Sequence, residues 1–124
     1  MLPQRVDIVM VMVSDMSRSV SFYRDTLGFT CRMESPYWTE FDLGGQTLAL
    51  HPTDTPGVPY WPDHQPAGSL QLCFKVSDIA AAAAELKAKG APFAVEPSER
   101  EGEGIKLAVF TDPDGMPISL YEPT

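Results

Sequence analysis

The chain has 124 residues, 44% apolar and 21% charged, and its nine basic and seventeen acidic side chains give a formal net charge of -8. That length fits one domain able to withdraw roughly two thirds of its unfolded surface from water. Acidity without a Lys/Arg cluster argues against nucleic acid or anionic lipid as a partner; it favours a cationic ligand and equally serves solubility.

No segment approaches the roughly 18 uninterrupted apolar residues of a membrane span. The opening MLPQRVDIV lacks the basic flank, apolar run and cleavage site of a secretory signal, so the expected address is cytoplasmic. Cys31 and Cys73 form neither a disulfide framework nor a C-x-x-C pair and are expected as core or semi-buried thiols.

RVDIVMVMV (5–13) reads as a strand apolar on both faces, with Val9, Val11 and Val13 on one side and Ile8, Met10 and Met12 on the other, and therefore covered on both. Ser14 or Asp15 caps a helix whose buried stripe is Met16, Val20, Tyr23 and Leu27, and Gly28 ends it. Strand-like segments follow at 29–35, 37–43 and 46–52, parted by Pro36 and Gly44-Gly45. From residue 70 the plan repeats. LQLCFKV (70–76) is a strand, and Ser77 or Asp78 caps a helix with the stripe Ile79, Ala83 and Leu86, closed by Gly90. Strands then follow at 91–97, 105–111 and 116–123. SEREGEG (98–104) reads as a solvated loop or a flap whose Glu99, Glu101 and Glu103 disfavour anions, and DPDG (112–115) reads as a turn rather than a calcium loop.

Each half is thus βαβββ: module one at about 5–52, module two at about 69–122, and between them a proline-rich joint, 53–68, without regular structure. The fold class is α+β, with each four-stranded sheet covered by its helix on one face.

VSDMSRSVSFYRDTLGF (13–29) and DPDGMPISLYEP (112–123) resemble the opening and closing signatures of the vicinal oxygen chelate superfamily. It takes in glyoxalase I, bleomycin resistance proteins, methylmalonyl-CoA epimerase and extradiol dioxygenases. The resemblance spans essentially the whole chain. It implies two modules forming a cup-shaped mixed sheet with helices outside, assembled as a homodimer. It also implies a divalent metal in the enzymes, whose ligand positions fall here on Ile8, Ala49, Gln71 and Ser119; a register shift of two brings His51 to the place of Ala49. Ile8 and Ala49 have no donor atom, and Gln71 and Ser119 are weak ones, so no cofactor is expected.

Among single residues, His51 at a strand end either faces solvent or lines the mouth of the cup as base or ligand, and Tyr121 either packs the last strand or orients a ligand. These two are the candidate catalytic residues. Tyr37, Trp38, Tyr60 and Trp61 form two aromatic pairs suited to stacking or to sealing an interface. Alternation puts Trp38, Glu40 and Asp42 on the cup side, and Tyr37, Thr39, Phe41 and Leu43 against the helix. Met10, Met12 and Cys73 line the inner faces, and Gln71, if buried, needs a hydrogen-bond partner. His64, beside Asp63 in the joint, has a local partner and no required function.

The ligand-contacting set is therefore Ile8, Met10, Trp38, Glu40, Ala49, His51, Tyr60, Trp61, Gln71, Cys73, Ser119 and Tyr121. The expected function is metal-independent binding, in the cup, of a small, partly aromatic molecule, cationic or neutral, as in bleomycin resistance proteins. One alternative is a glyoxalase-like lyase, isomerase or dioxygenase using Fe, Ni, Zn or Mn or His51 acid-base chemistry. The other is an interaction protein whose cup is filled by its own side chains.

Overall fold

A computed structural model describes residues 1–62 and 64–124; Asp63, and with it the partner expected for His64, lies outside the described residues. The chain divides into two compact units, Met1–Pro56 and Gly57–Thr124.

The first unit holds β1 (Ile8–Val13), α1 (Met16–Ser21), β2 (Thr30–Met33), β3 (Thr39–Leu43) and β4 (Gln46–Pro52). Its sheet runs β1-β4-β3-β2, with β1 parallel to β4 and the other pairs antiparallel. The second unit holds β5 (Leu72–Lys75), α2 (Ile79–Ala88), β6 (Phe93–Arg100), β7 (Ile105–Thr111) and β8 (Pro117–Pro123). Its order β5-β8-β7-β6, with β5 parallel to β8, copies the first. The α+β class and the two βαβββ modules read from the sequence are both present.

The aspartates do the capping in both modules. Asp15 Oδ1 accepts from the Arg18 amide at 3.1 Å and Asp78 Oδ1 from the Ala81 amide at 3.0 Å, each satisfying an N–H that the first helical turn leaves without a partner. The stripes behave as expected: Val20, Tyr23, Ile79 and Ala83 are buried, and Met16, Leu27 and Leu86 are half-buried. The first helix is not uniform, however. Its second half, Phe22–Thr26, widens into a π-helical turn in which the Leu27 amide donates to the Phe22 carbonyl at 3.0 Å. There the buried Tyr23 ring sits 6.2 Å from Phe29 and 6.0 Å from Phe41, forming an aromatic core on the helix-covered face.

Four expectations are corrected. β1 is covered on one face only: Val11 and Val13 are buried, whereas Ile8, Met10 and Met12 are exposed, because α1 covers just one side of this edge strand. Tyr37 is 77% exposed, since residues 35–38 form a turn and β3 begins only at Thr39. Ser98, Glu99 and Arg100 are not loop but the end of β6, paired with Leu107, Lys106 and Ile105; ladder hydrogen bonds outweigh the polar composition, and the turn shrinks to 101–104. Cys73 is exposed rather than buried, while Cys31 is intermediate as expected.

Among its described residues the joint has no regular structure, and at Gly57 and Val58 it runs against the DPDG turn. A Cβ on Gly57 would come within 3.0 Å of the Asp114 carbonyl oxygen. The turn itself is held by the buried Asp112 carboxylate, which accepts from the amides of Asp114 (2.9 Å) and Met116 (2.8 Å).

Candidate functional site

Strand register decides which side chains share the sheet face turned away from α1. Met10 pairs with Ala49 and Met12 with His51, while Ala49 pairs in turn with Glu40. Paired residues project to the same side, so Ile8, Met10, Met12, Thr47, Ala49, His51 and Glu40 share that face. Trp38, at the entry to β3, joins them: its indole lies edge-on to the His51 imidazole, with ring centroids 6.4 Å apart. Ile8, Met10, Met12 and His51 are exposed, Trp38 and Glu40 are half-buried, and Ala49 is wholly buried.

A hydrogen-bonded chain crosses this face. β2 carries a bulge between Cys31 and Met33, and the extra residue, Arg32, projects its guanidinium over β3 and β4. Arg32 donates to Glu40 Oε1 through Nη2 (2.8 Å) and Nε (3.2 Å), and to Thr47 Oγ1 (2.8 Å). The other carboxylate oxygen, Oε2, accepts from Trp38 Nε1 at 2.7 Å. The Trp38 N–H first and the Arg32 guanidinium second hold the Glu40 carboxyl below the ordinary glutamate range, and Glu40 holds the Arg32 guanidinium above its usual value.

The Trp38 backbone is fixed as well. Its amide donates to Ser35 Oγ (3.0 Å), and its carbonyl accepts from both the hydroxyl (3.0 Å) and the amide (3.1 Å) of Ser35. His51 Nδ1 lies 2.8 Å from the Pro52 carbonyl oxygen. A carbonyl can only accept, so Nδ1 carries the hydrogen, and in the neutral imidazole it is Nε2 that has the lone pair.

The second module offers its own uncovered face. Cys73 pairs with Ser119, and Tyr121 continues the alternation past Ser119. Gln71, just before β5, is exposed rather than buried, and its Oε1 accepts from Ser119 Oγ at 2.8 Å; Ser119 is buried and Tyr121 half-buried. Tyr60 and Trp61 lie in the joint, Tyr60 half-buried and Trp61 62% exposed.

The positions at which the resemblance implies metal ligands do not fit a divalent cation. Ile8 and Ala49 have no donor, and the Gln71 amide and Ser119 hydroxyl are engaged with each other. Among the described residues no three His, Cys, Asp or Glu side chains converge. Sequence reasoning missed Arg32 and Ser35. An opposite-charge pair across an expected hairpin was the available signal for Arg32, but the bulge that aims it leaves no mark in the alternation.

The model of the glyoxalase/bleomycin resistance protein/dioxygenase superfamily matches residues 5–120. The chain belongs to this superfamily. The chain is 31% identical to the uncharacterized protein YaeR of Escherichia coli, over 96% of each chain. Among solved structures, it superposes on SMU.1112c with a TM-score of 0.82 at 30% identity, covering 96% of this chain and 98% of that one. It superposes on TnmS3, an antibiotic binding protein from Streptomyces sp. CB03234, with a TM-score of 0.72 at 29% identity, covering 100% and 99%.

Proposed function

We propose that this superfamily member is a metal-independent binding protein for a small, partly aromatic, cationic molecule. The observation that carries the reading is the composition of the uncovered face of the first sheet: exposed Ile8, Met10 and Met12 beside a fixed indole, in a strongly acidic chain. Methionines adapt to irregular apolar surfaces, and an indole face attracts flat cations. The similarity to TnmS3, an antibiotic binding protein, supports a small-molecule ligand and leaves its aromatic and cationic character to the surface just described. Gln71, Cys73, Ser119 and Tyr121 form a second, more polar face on the other module's sheet.

The test uses the two tryptophans. Titrating Trp61→Phe and Trp38→Phe proteins with bleomycin and with N-methylacridinium should give a saturable fluorescence change in the protein that retains Trp38. No saturable response to either compound in the protein with both tryptophans would sink the proposal. We further propose a cytoplasmic homodimer without nucleic-acid or membrane partners. No helix among the described residues is long and apolar enough to cross a membrane. Light scattering that gives one chain's mass at micromolar concentration would contradict the dimer.

A second reading draws on the His51 tautomer. In the neutral form, with Nδ1 donating to Pro52, His51 presents Nε2 as a base or as a metal ligand. Stoichiometric Fe, Ni, Zn or Mn in protein prepared without added metal, lost on His51→Ala, would put this reading first.

A further inference from the structure

We infer that Glu40 is a positioning residue: with Arg32 and Ser35 it locks the Trp38 indole in one orientation, as a preformed stacking surface for a planar aromatic cation. The inference deepens the binding role proposed above and rests on it for the ligand.

A half-buried tryptophan needs no such restraint for stability alone, yet Trp38 is fixed in three ways. Ser35 holds its amide and its carbonyl. Glu40 Oε2 accepts from Nε1 at 2.7 Å. His51 meets the ring edge-on at 6.4 Å. Glu40 is itself fixed by two Arg32 nitrogens, and Arg32 by Thr47. The chain from Thr47 to the indole thus leaves neither Trp38 torsion free to turn.

Two consequences bear on the ligand. Rotamer freedom given up in the unliganded protein is not given up again on binding, which is how preorganisation raises affinity. The carboxylate is also already paired, so Glu40 is no counter-ion for an incoming cation. A carboxylate on the indole N–H adds electron density to the ring, and the attraction for a flat cation falls to the indole face.

The experiment reads the indole N–H of both tryptophans by ¹⁵N NMR and hydrogen exchange, and the affinity for N-methylacridinium, in the native sequence, Glu40→Ala, Glu40→Gln and Ser35→Ala. In the native protein the Trp38 N–H should exchange more slowly than that of the exposed Trp61. Glu40→Ala should remove that protection and weaken acridinium binding about three- to tenfold, the range expected for re-immobilising one large side chain. Glu40→Gln, which keeps an acceptor for Nε1, should restore most of both, and Ser35→Ala should reproduce part of the loss. Equal exchange of the two indoles in the native protein, or a Trp38 signal unmoved by Glu40→Ala, overturns the inference. So does acridinium affinity unchanged in Glu40→Ala. If the native protein shows the indole effects but binds no acridinium, the effects support Glu40 as the group that holds the indole, and the ligand reading alone is overturned.

Discussion

Glu40 accepts from an indole and a guanidinium at once, and both favour its charged form. The sign of the pH dependence follows. A carboxyl whose folded-state pKa is depressed contributes stability that is fully present above its unfolded value and is lost as pH falls through the folded one. In a His51→Gln protein, which removes the imidazole at the ring's edge, the Trp38 indole ¹⁵N shift should therefore stay constant from neutrality down through the ordinary glutamate range and move only below it. A midpoint at or above the ordinary value would show that the contact does not hold the charge. Burial sets the scale elsewhere among the residues. Phe41 is wholly buried against Tyr23 and Phe29, and Phe41→Ala should cost about 3–5 kcal/mol in chemical denaturation. A loss under about 1 kcal/mol would mean that the aromatic cluster is not the core of this module.

The elements show where alternation and capping suffice and where they do not. Both helix starts were legible because Ser-Asp ahead of an apolar stripe offers a cap, although the sequence left open which of the two residues caps and the structure assigns it to the aspartate. Replacing Asp78 by alanine should cost about 0.5–2 kcal/mol, measured against a substitution in an exposed turn such as Glu101→Ala. The two faces of β3 were legible at Thr39, Phe41 and Glu40, since a period of two survives wherever the ladder is regular. It fails where the ladder is not regular. The bulge at Arg32 and the irregular pairing of β6 with β7 change which residues oppose each other without changing the sequence pattern. The widened turn at Phe22–Thr26 keeps the apolar spacing of an ordinary helix and is equally silent. The uncovered face of β1 was misread for a different reason. Apolar composition shows that a face can be covered, not that the chain's own helix covers it.

At the scale of the whole molecule, the repeat was the most informative feature of the sequence. Two copies of V-S-D ahead of a helix that stops at glycine specify two modules, and the two sheets have identical strand orders. The site was less legible. Trp38, Glu40 and His51 were identified, but the chain of bonds linking Thr47, Arg32, Glu40 and Trp38 depends on register, which spacing alone does not fix. At the joint, Gly57 runs so close to the Asp114 carbonyl that Gly57→Ala requires the two segments to give by a few tenths of an ångström. A destabilisation of about 1–3 kcal/mol is expected from that overpacking, and an unchanged denaturation midpoint would show that the joint is not packed on the turn.

The central claim is that aromatic and apolar groups grip the ligand without a metal ion. It is tested most directly by calorimetric titration of N-methylacridinium into the protein before and after exhaustive dialysis against a chelator. The account predicts saturable binding of equal affinity in both, weakened about ten- to thirtyfold by Trp38→Ala. Binding that disappears with the chelator and returns with added Fe, Ni, Zn or Mn would contradict it.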